Sequence, residues 1–512
     1  MKVEQISNLS VGRLLKQTAE KFPKKEVIIF EDKRLTFRQL DDQANKLANG
    51  IIKLGIQKGD KAAILFQNSN QFIESYFAIV KAGGIAVPLN SRLSAKELTE
   101  HINFSDSKML IYSNVFAETV ESIRKNLTKV KRYIIDGANN TSESIGFEEI
   151  INGNSPSEPG VEVNESDGCE ILFTGGTTGA PKGVYRTHYS VIWSGMLTAY
   201  DLKIKNNAKL LVTAPLFHGA SLDDLMMGAL TAGATMCILR QFDPMKCLEK
   251  IRDEKLTVAF FVPLMFTIIM MMPNVPDYVS SLETWGSAAA PMPLELRDKL
   301  LKTLPDINLF EVFGQTENPW ISVMYSHNSM TKYESCGIPA THNSIKIVGN
   351  GDQEIPVGQI GEIVVKGPSC MSYYYKNDGA TRQTLKNGWL YTGDLGKFDE
   401  DGYLYIVDRK KDMIITGGEN VYAVEVENAL ILHPKVQEVS VIGLPHKLWG
   451  EAVTAVIVTK PGSNATEEEI IVFAKEKLTH YKCPRIVKFT DSLPKSTMMK
   501  VLKQELKKKY ID

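Results

Sequence analysis

The sequence predicts an α/β fold with mostly parallel sheets, because short apolar runs alternate with helix-period segments for most of the chain. EVIIFED (26–32), KAAILFQ (61–67) and IAVPLN (85–90) read as strands, and FRQLDDQANKLANGIIKLG (37–55) and FIESYFAIVKAGG (72–84) as helices between them. The unit KAAILF…AIVKAGGIAVPL recurs loosely as LLVTAPL…MMGALTAGATMCIL over 210–239, which points to two related halves of one architecture. Gly83-Gly84 and Gly233 close the helices ahead of the following strands. The apolar run LTVAFFVPLMFTIIMMM (256–272) is slightly short for a bilayer span and carries Pro263 in its middle. It reads as a buried strand, a turn at Pro263 and a core helix. From about residue 343 strands follow one another quickly, in SIKIVGNGDQEIPVGQIGEIVVKG and GYLYIVDRKKDMIITGG, which predicts a β-rich subdomain over about 343–407. After Val421 a compact α/β piece follows, with VEVENALILH and EEEIIVFAKEKL as helices and EVSVIGL and AVTAVIVT as strands. The boundary is expected at DRKKD (408–412), which separates domains 1–407 and 413–512; GANNTSES (137–144) reads as a surface loop.

Composition bounds the function. The 512 residues allow several domains and sizeable cores. Lys+Arg total 59 and Asp+Glu 60, a net charge of −1, so no global positive field draws the chain to nucleic acid. Peripheral contact with a membrane and a homodimer are left open. The cysteines at 169, 237, 247, 336, 370 and 483 form no CxxC pair and match no zinc spacing. Scattered thiols suit a reducing compartment, so a cytoplasmic protein is expected. The N-terminal MKVEQISNLSVGRLLKQ is amphipathic and lacks the apolar core of a signal peptide.

The sharpest motif is EILFTGGTTGAPKGV (170–184), a strand running into a loop of glycines and threonines that ends at Lys182. Glycines let backbone N–H groups converge on an anion. Threonine hydroxyls add neutral donors, and Lys182 adds a mobile charge for phosphate. It is not the Walker pattern, since glycine follows the lysine. A glycine-rich loop alone would equally be a flexible surface hairpin; the order TGGTTGAPKG sets it apart.

That segment resembles the signature of the adenylate-forming enzyme superfamily, which includes acyl-CoA synthetases, peptide-synthetase adenylation domains and luciferases. Its usual form is TSGTTGxPKG, and Gly175 stands where serine is usual. Other resemblances follow in family order. PLFHG (215–219) looks like the segment lining the acid pocket, and GSAAAP (286–291) like the loop contacting adenine and acid. FGQTE (313–317) resembles YGxTE with Phe313 for tyrosine, and YTGDL (391–395) resembles the ribose segment. DRKKD with ITGGENV resembles the hinge and the loop after it, and LPKSTMMK (493–500) resembles LPKTxxGK, with Met499 in place of glycine.

The resemblance implies a large multi-subdomain N-terminal domain and a small mobile α+β C-terminal domain. It also implies an AMP-forming acid–thiol ligase using ATP, Mg²⁺ and coenzyme A. By the same resemblance Thr174, Gly175, Gly176, Thr177, Thr178, Gly179 and Lys182 hold phosphate, and Ser287, Ala288, Ala289, Phe313, Gly314 and Gln315 line the nucleotide site. Thr316 donates to the α-phosphate and Glu317 binds the metal. Asp394 and Arg409 take the ribose, and Lys500 bridges carboxylate and α-phosphate. His218 lines the acid pocket, Lys411 is the pivot, and Gly417 and Gly418 face coenzyme A; Trp449 and Lys482 are candidates for its nucleotide because an aromatic surface and a charge suit adenine and phosphate.

Taken singly, each has an ordinary alternative. A Glu after a Thr is usually a helix N-terminal charge, Asp394 a turn residue, Arg409 a surface ion pair, His218 a core histidine and Lys500 one lysine on a solvated tail. Trp449 and Lys482 fit surface packing equally well, and His188 is expected to be structural. The ordered set of matches carries the assignment. The stretch LFHGAS lacks the acid that peptide-synthetase domains use for an amino group. With Val262, Pro263, Leu264 and Met265 as an apolar wall, a medium- or long-chain fatty acid is expected. An aryl acid, a carnitine-like acid and transfer to a carrier protein are the alternatives.

Overall fold

A computed structural model of the chain describes residues 9–137, 143–174, 181–495 and 501–511. The chain divides into two compact units. One takes in the described residues up to Ser344 together with Val365–Leu390; the other takes in Ile345–Val364 and Tyr391–Asp512. The divisions precede the expected 408–412 boundary.

The first unit holds two large sheets. In the nine-stranded sheet, strands Asn308–Gln315, Thr284–Ala288, Val258–Phe261, Lys209–Val212, Thr235–Ile238 and Glu26–Phe30 run parallel in that spatial order. In the eight-stranded sheet, Gly168–Thr174, Ile85–Pro88, Lys61–Leu65, Ser107–Ser113, Arg132–Asp136 and Ile145–Gly146 do the same. Antiparallel strands complete both edges of the nine-stranded sheet and one edge of the eight-stranded sheet.

The loosely repeated sequence unit is one strand–helix–strand crossover in each sheet. Lys61–Leu65 pairs in parallel with Ile85–Pro88 across helix Asn70–Lys81. Lys209–Val212 pairs in parallel with Thr235–Ile238 across helix Met227–Ala232. The glycines end these helices as expected: Gly83 and Gly233 have φ of +74° and +70°, which residues with a Cβ seldom adopt. One apolar core packs side chains of both sheets together, including Ile28, Ile64, Phe77, Leu210 and Met236.

The 256–272 run resolves as the strand Val258–Phe261 and a helix beginning at Pro263 itself, where the missing N–H costs nothing. Among the described residues no helix is long and apolar enough to cross a membrane.

The second unit contains the strand Leu404–Arg409 and, from Tyr391 on, its antiparallel partner Trp389–Phe398. It also holds a sheet ordered Glu419–Val421, Ile414–Thr416, Gly450–Thr459 and Val436–His446, covered by helices Ala423–Leu430 and Glu467–Lys477.

Helix His188–Asp201 crosses Met227–Ala232 at Gly195, where a Cβ would lie 2.6–2.8 Å from Met227 Cβ and its carbonyl group. Ala raises intrinsic helix propensity by about 1 kcal/mol, yet backbone cannot yield as a side chain does. Gly195→Ala is therefore expected to destabilise by about 1–3 kcal/mol, read as a lower urea midpoint; a raised midpoint would contradict this packing.

Candidate active site

Parallel sheets gather their chemistry in the crevice outside the carboxyl ends of the strands. Strand Lys209–Val212 runs on to His218, Val258–Phe261 to Val262, and Thr284–Ala288 to Ala289. The neighbouring strand Asn308–Gln315 turns back at Thr316-Glu317 into Asn318–Tyr325, so these two residues form the tip of a hairpin. One sheet edge thus carries His218, Ser287, Ala288, Ala289, Phe313, Gly314, Gln315, Thr316 and Glu317. Ala289 has a φ of +76°, an uncommon conformation for a residue with a Cβ, and lies in the expected adenine loop.

The expected phosphate loop springs from an antiparallel hairpin in the other sheet, in which Thr174 pairs with Lys182. Gly175, Gly176, Thr177, Thr178 and Gly179 lie outside the described residues. Strand Tyr373–Tyr375 pairs with the same hairpin, placing Tyr374 opposite Val184. Tyr374 donates its phenol hydrogen to Glu317 Oε1 at 2.5 Å, and the Lys182 ammonium lies 5.1 Å from its ring centroid. Burial and the Glu317 carboxylate push this phenol far above its ordinary pKa, so it remains a donor. Met371 N–H donates to the Glu317 carbonyl at 2.7 Å. The residues predicted for phosphate and for metal thus meet on one tyrosine. The sequence reading missed Tyr374, whose only signal is the triplet Tyr373-Tyr374-Tyr375.

Beneath the hairpin lies a second feature the sequence reading did not identify. Arg186 is fully buried and pairs with Asp223. It also donates to Ser194 Oγ (2.7 Å), Ser190 O (3.0 Å) and Ser369 O (3.1 Å). Asp223 belongs to a π-helix, Ala220–Met226, that follows the expected acid-pocket turn. Glu170 accepts from Tyr76 Oη at 2.7 Å, and burial and the neighbouring Asp223 hold its carboxyl well above the usual carboxylate range.

In the second unit, Asp394 and Arg409 face each other across paired strands, Nε to Oδ1 3.4 Å. Lys410 ion-pairs with Glu362 at 2.8 Å. Lys411 follows it in a turn closed by Asp412 N–H and Met413 N–H donating to Arg409 O. Gly417 and Gly418 turn between strands Ile414–Thr416 and Glu419–Val421 with φ of +61° and +85°. Gly417 N–H donates to Trp449 O at 2.8 Å, and a Cβ at Gly417 would lie 3.0 Å from the indole. The Arg485 guanidinium covers the indole at 4.1 Å, and Lys482 pairs with Glu425 at 2.6 Å. Lys500 lies outside the described residues.

The profile described as AMP-binding enzyme matches residues 15–375, and that described as AMP-binding enzyme C-terminal domain matches 425–500. The chain belongs to the AMP-binding enzyme family. It is 34% identical to a feruloyl-CoA synthase of an Amycolatopsis species, over 93% of this chain and 94% of that one. It is 33% identical to the long-chain-fatty-acid–CoA ligase FadD13 of Mycobacterium tuberculosis, over 98% of both. The solved structure of ATP-bound MatB from Rhodopseudomonas palustris superposes with a TM-score of 0.89, at 27% identity, covering 98% of this chain and 99% of that one. As a member of this adenylate-forming family the chain is an acid–thiol ligase that uses ATP and coenzyme A.

His188 and His218 play different parts. His188 is fully buried and accepts from Val11 N–H through Nδ1 at 3.2 Å, the structural role expected of it. Burial lowers both histidines from 6.5 to about 4, with Arg92 adding to the effect at His218. Both rings are therefore neutral at pH 7. The folded chain refuses a proton that the unfolded chain takes below about 6.5, so this stability is lost as pH falls toward about 4. Glu74 and Asp408, raised by burial to about 7 and about 6, act in the opposite sense. A difference measurement isolates His188. Relative to His188→Asn, the wild type is expected to lose up to about 3 kcal/mol of unfolding free energy between pH 7 and pH 4. A pH-independent difference would contradict a buried neutral imidazole.

Proposed function

We propose that the chain activates a medium- or long-chain fatty acid and transfers it to coenzyme A. A carboxylate oxygen attacks the α-phosphorus of ATP, the bond to the β-phosphate oxygen breaks, and pyrophosphate leaves. The coenzyme A thiolate then attacks the acyl carbonyl, the carbon–oxygen bond to AMP breaks, and AMP leaves. The observation that carries this reading is the meeting of Lys182 and Glu317 on Tyr374 at the base of the glycine–threonine loop.

Phosphoryl transfer needs alignment and charge neutralisation more than a covalent protein group. Thr174 and Lys182, with the loop between them, hold the β- and γ-phosphates. Thr316 donates to the α-phosphate. Glu317 fits Mg²⁺: it is a hard oxygen donor, half-buried, and among the described residues only its Oε1 is taken, by Tyr374. When bound there, Mg²⁺ supplies positive charge to the phosphates. Asp394 and Arg409 take the ribose. Lys500 draws the carboxylate and the α-phosphate together as negative charge gathers between them. Lys411 is the pivot about which residues 413–512 turn between the two half-reactions, bringing Gly417, Gly418 and Trp449 to coenzyme A. His218, held neutral, gates the acid pocket without moving protons.

The fatty acid is favoured by the apolar chain leaving strand Val258–Phe261, where Val262 and Met265 are half-buried and Leu264 is 43% exposed. The similarity to a feruloyl-CoA synthase, over almost the whole chain, favours an aryl acid as the second reading.

Acid-dependent pyrophosphate release across fatty, aryl and amino acids, with and without coenzyme A, separates these readings. The fatty acids are expected to give the highest kcat/KM, with AMP released only when coenzyme A is present; highest turnover with a cinnamate would transfer the assignment to the aryl class. Lys500→Ala is expected to lower adenylate formation at least about 100-fold, while thioester formation from supplied acyl-adenylate changes little. Lys411→Pro should impair one half-reaction far more than the other. Equal losses in both half-reactions for either variant would refute the two-step assignment of that residue.

A further inference from the structure

Tyr374 is 4% exposed, and its two ends meet two different charged groups. It stands opposite Val184 in an antiparallel pair. Lys182, two residues before Val184, shares that face of the strand and falls on the diagonal from Tyr374. The Lys182 ammonium, 5.1 Å from the ring centroid, is within the range over which an aromatic face attracts a cation. At the other end the phenol donates to Glu317 Oε1 at 2.5 Å. A phenol has one hydrogen to give. That hydrogen goes to Glu317 Oε1, and among the described residues Glu317 Oε2 is the oxygen left over.

Two further contacts hold the arrangement. Met371 N–H donates to the Glu317 carbonyl, and Tyr374 N–H donates to Thr381 Oγ1 at 3.0 Å. The strand bearing Tyr374 is thus fastened both to the tip bearing Glu317 and to the hairpin bearing Lys182.

We propose that Tyr374 is a positioning residue of the nucleotide site: its hydroxyl commits one oxygen of Glu317 so that the other is presented to a divalent cation, and its ring holds the Lys182 ammonium for phosphate. This rests on the reading of Glu317 and Lys182 given above. Presenting a single carboxylate oxygen suits Mg²⁺, which takes few protein ligands in strict octahedral geometry. A hydrogen bond from outside the coordination shell that orients a ligating carboxylate typically carries 10–100-fold in metal affinity.

The two ends of the side chain can be removed separately. Tyr374→Phe deletes the hydroxyl and keeps the ring; Tyr374→Leu deletes both. The probes are Mn²⁺ binding followed by electron paramagnetic resonance with α,β-methylene-ATP present, and calorimetric binding of the same analogue in EDTA. Tyr374→Phe is expected to weaken Mn²⁺ binding about 10–100-fold while nucleotide binding in EDTA stays within about twofold of wild type. Tyr374→Leu is expected to weaken both, the EDTA binding by about 3–10-fold. Wild-type Mn²⁺ affinity in Tyr374→Phe would overturn the proposal, and so would an equal loss in both assays, which marks a merely loosened fold. Unchanged EDTA binding in Tyr374→Leu would overturn the role given to the ring. If the wild type itself binds no Mn²⁺ with the analogue, the assignment of Glu317 fails instead, and this proposal with it.

Discussion

One buried cation sets the frame on which the candidate site stands. Arg186, without solvent contact, binds the π-helix through Asp223, the helix His188–Asp201 through Ser190 and Ser194, and the 369–375 segment through Ser369. Desolvating a guanidinium is costly, and the cost is met only when its donors find partners in fixed geometry. Four pieces of chain are therefore obliged to meet at one point. Ser369 passes the constraint on, because its hydroxyl donates to Asn318 Oδ1 at 2.7 Å, one residue from Glu317. The strand that leads out of the expected phosphate loop and the hairpin tip that carries the expected metal ligand are thus anchored to the same side chain.

The twofold use of one architecture explains why the candidate site residues gather where they do. Each large sheet has a parallel centre, and parallel strands deliver their following loops to one edge. The nine-stranded sheet supplies the His218, Ser287–Ala289 and Thr316–Glu317 segments from adjacent or near-adjacent strands. The eight-stranded sheet supplies Thr174 and Lys182 at the point where its parallel order ends in an antiparallel hairpin. Loops so presented can vary in sequence at little cost to the sheets beneath them. The pairing of a common adenylate chemistry with differing acids follows from that separation.

Much of this was legible in the sequence because the signals are local. Strand–helix alternation, the repeated crossover unit and the helix-ending Gly83 and Gly233 are each written within a few tens of residues. His188 was readable as structural, and Lys182 and Glu317 stand in one expected set that the structure joins through Tyr374. Tyr374 was not legible. Three consecutive tyrosines cannot say which one faces Glu317, 57 residues away, and strand pairing decides it. Arg186 and Asp223 escaped for a similar reason: charged residues are usually solvated, and only the packing of four segments shows that these are buried and paired. Arg485 over Trp449 likewise depends on pairing between distant strands.

The central claim is that the acid is activated by attack on the α-phosphorus, and an isotope label reads that bond directly. A carboxylic acid enriched in ¹⁸O in both carboxyl oxygens, turned over with ATP and coenzyme A, should leave one ¹⁸O in AMP and none in pyrophosphate, by mass spectrometry of the products. Label appearing in inorganic phosphate or pyrophosphate, with AMP unlabelled, would mean that another phosphorus is attacked and would contradict the account.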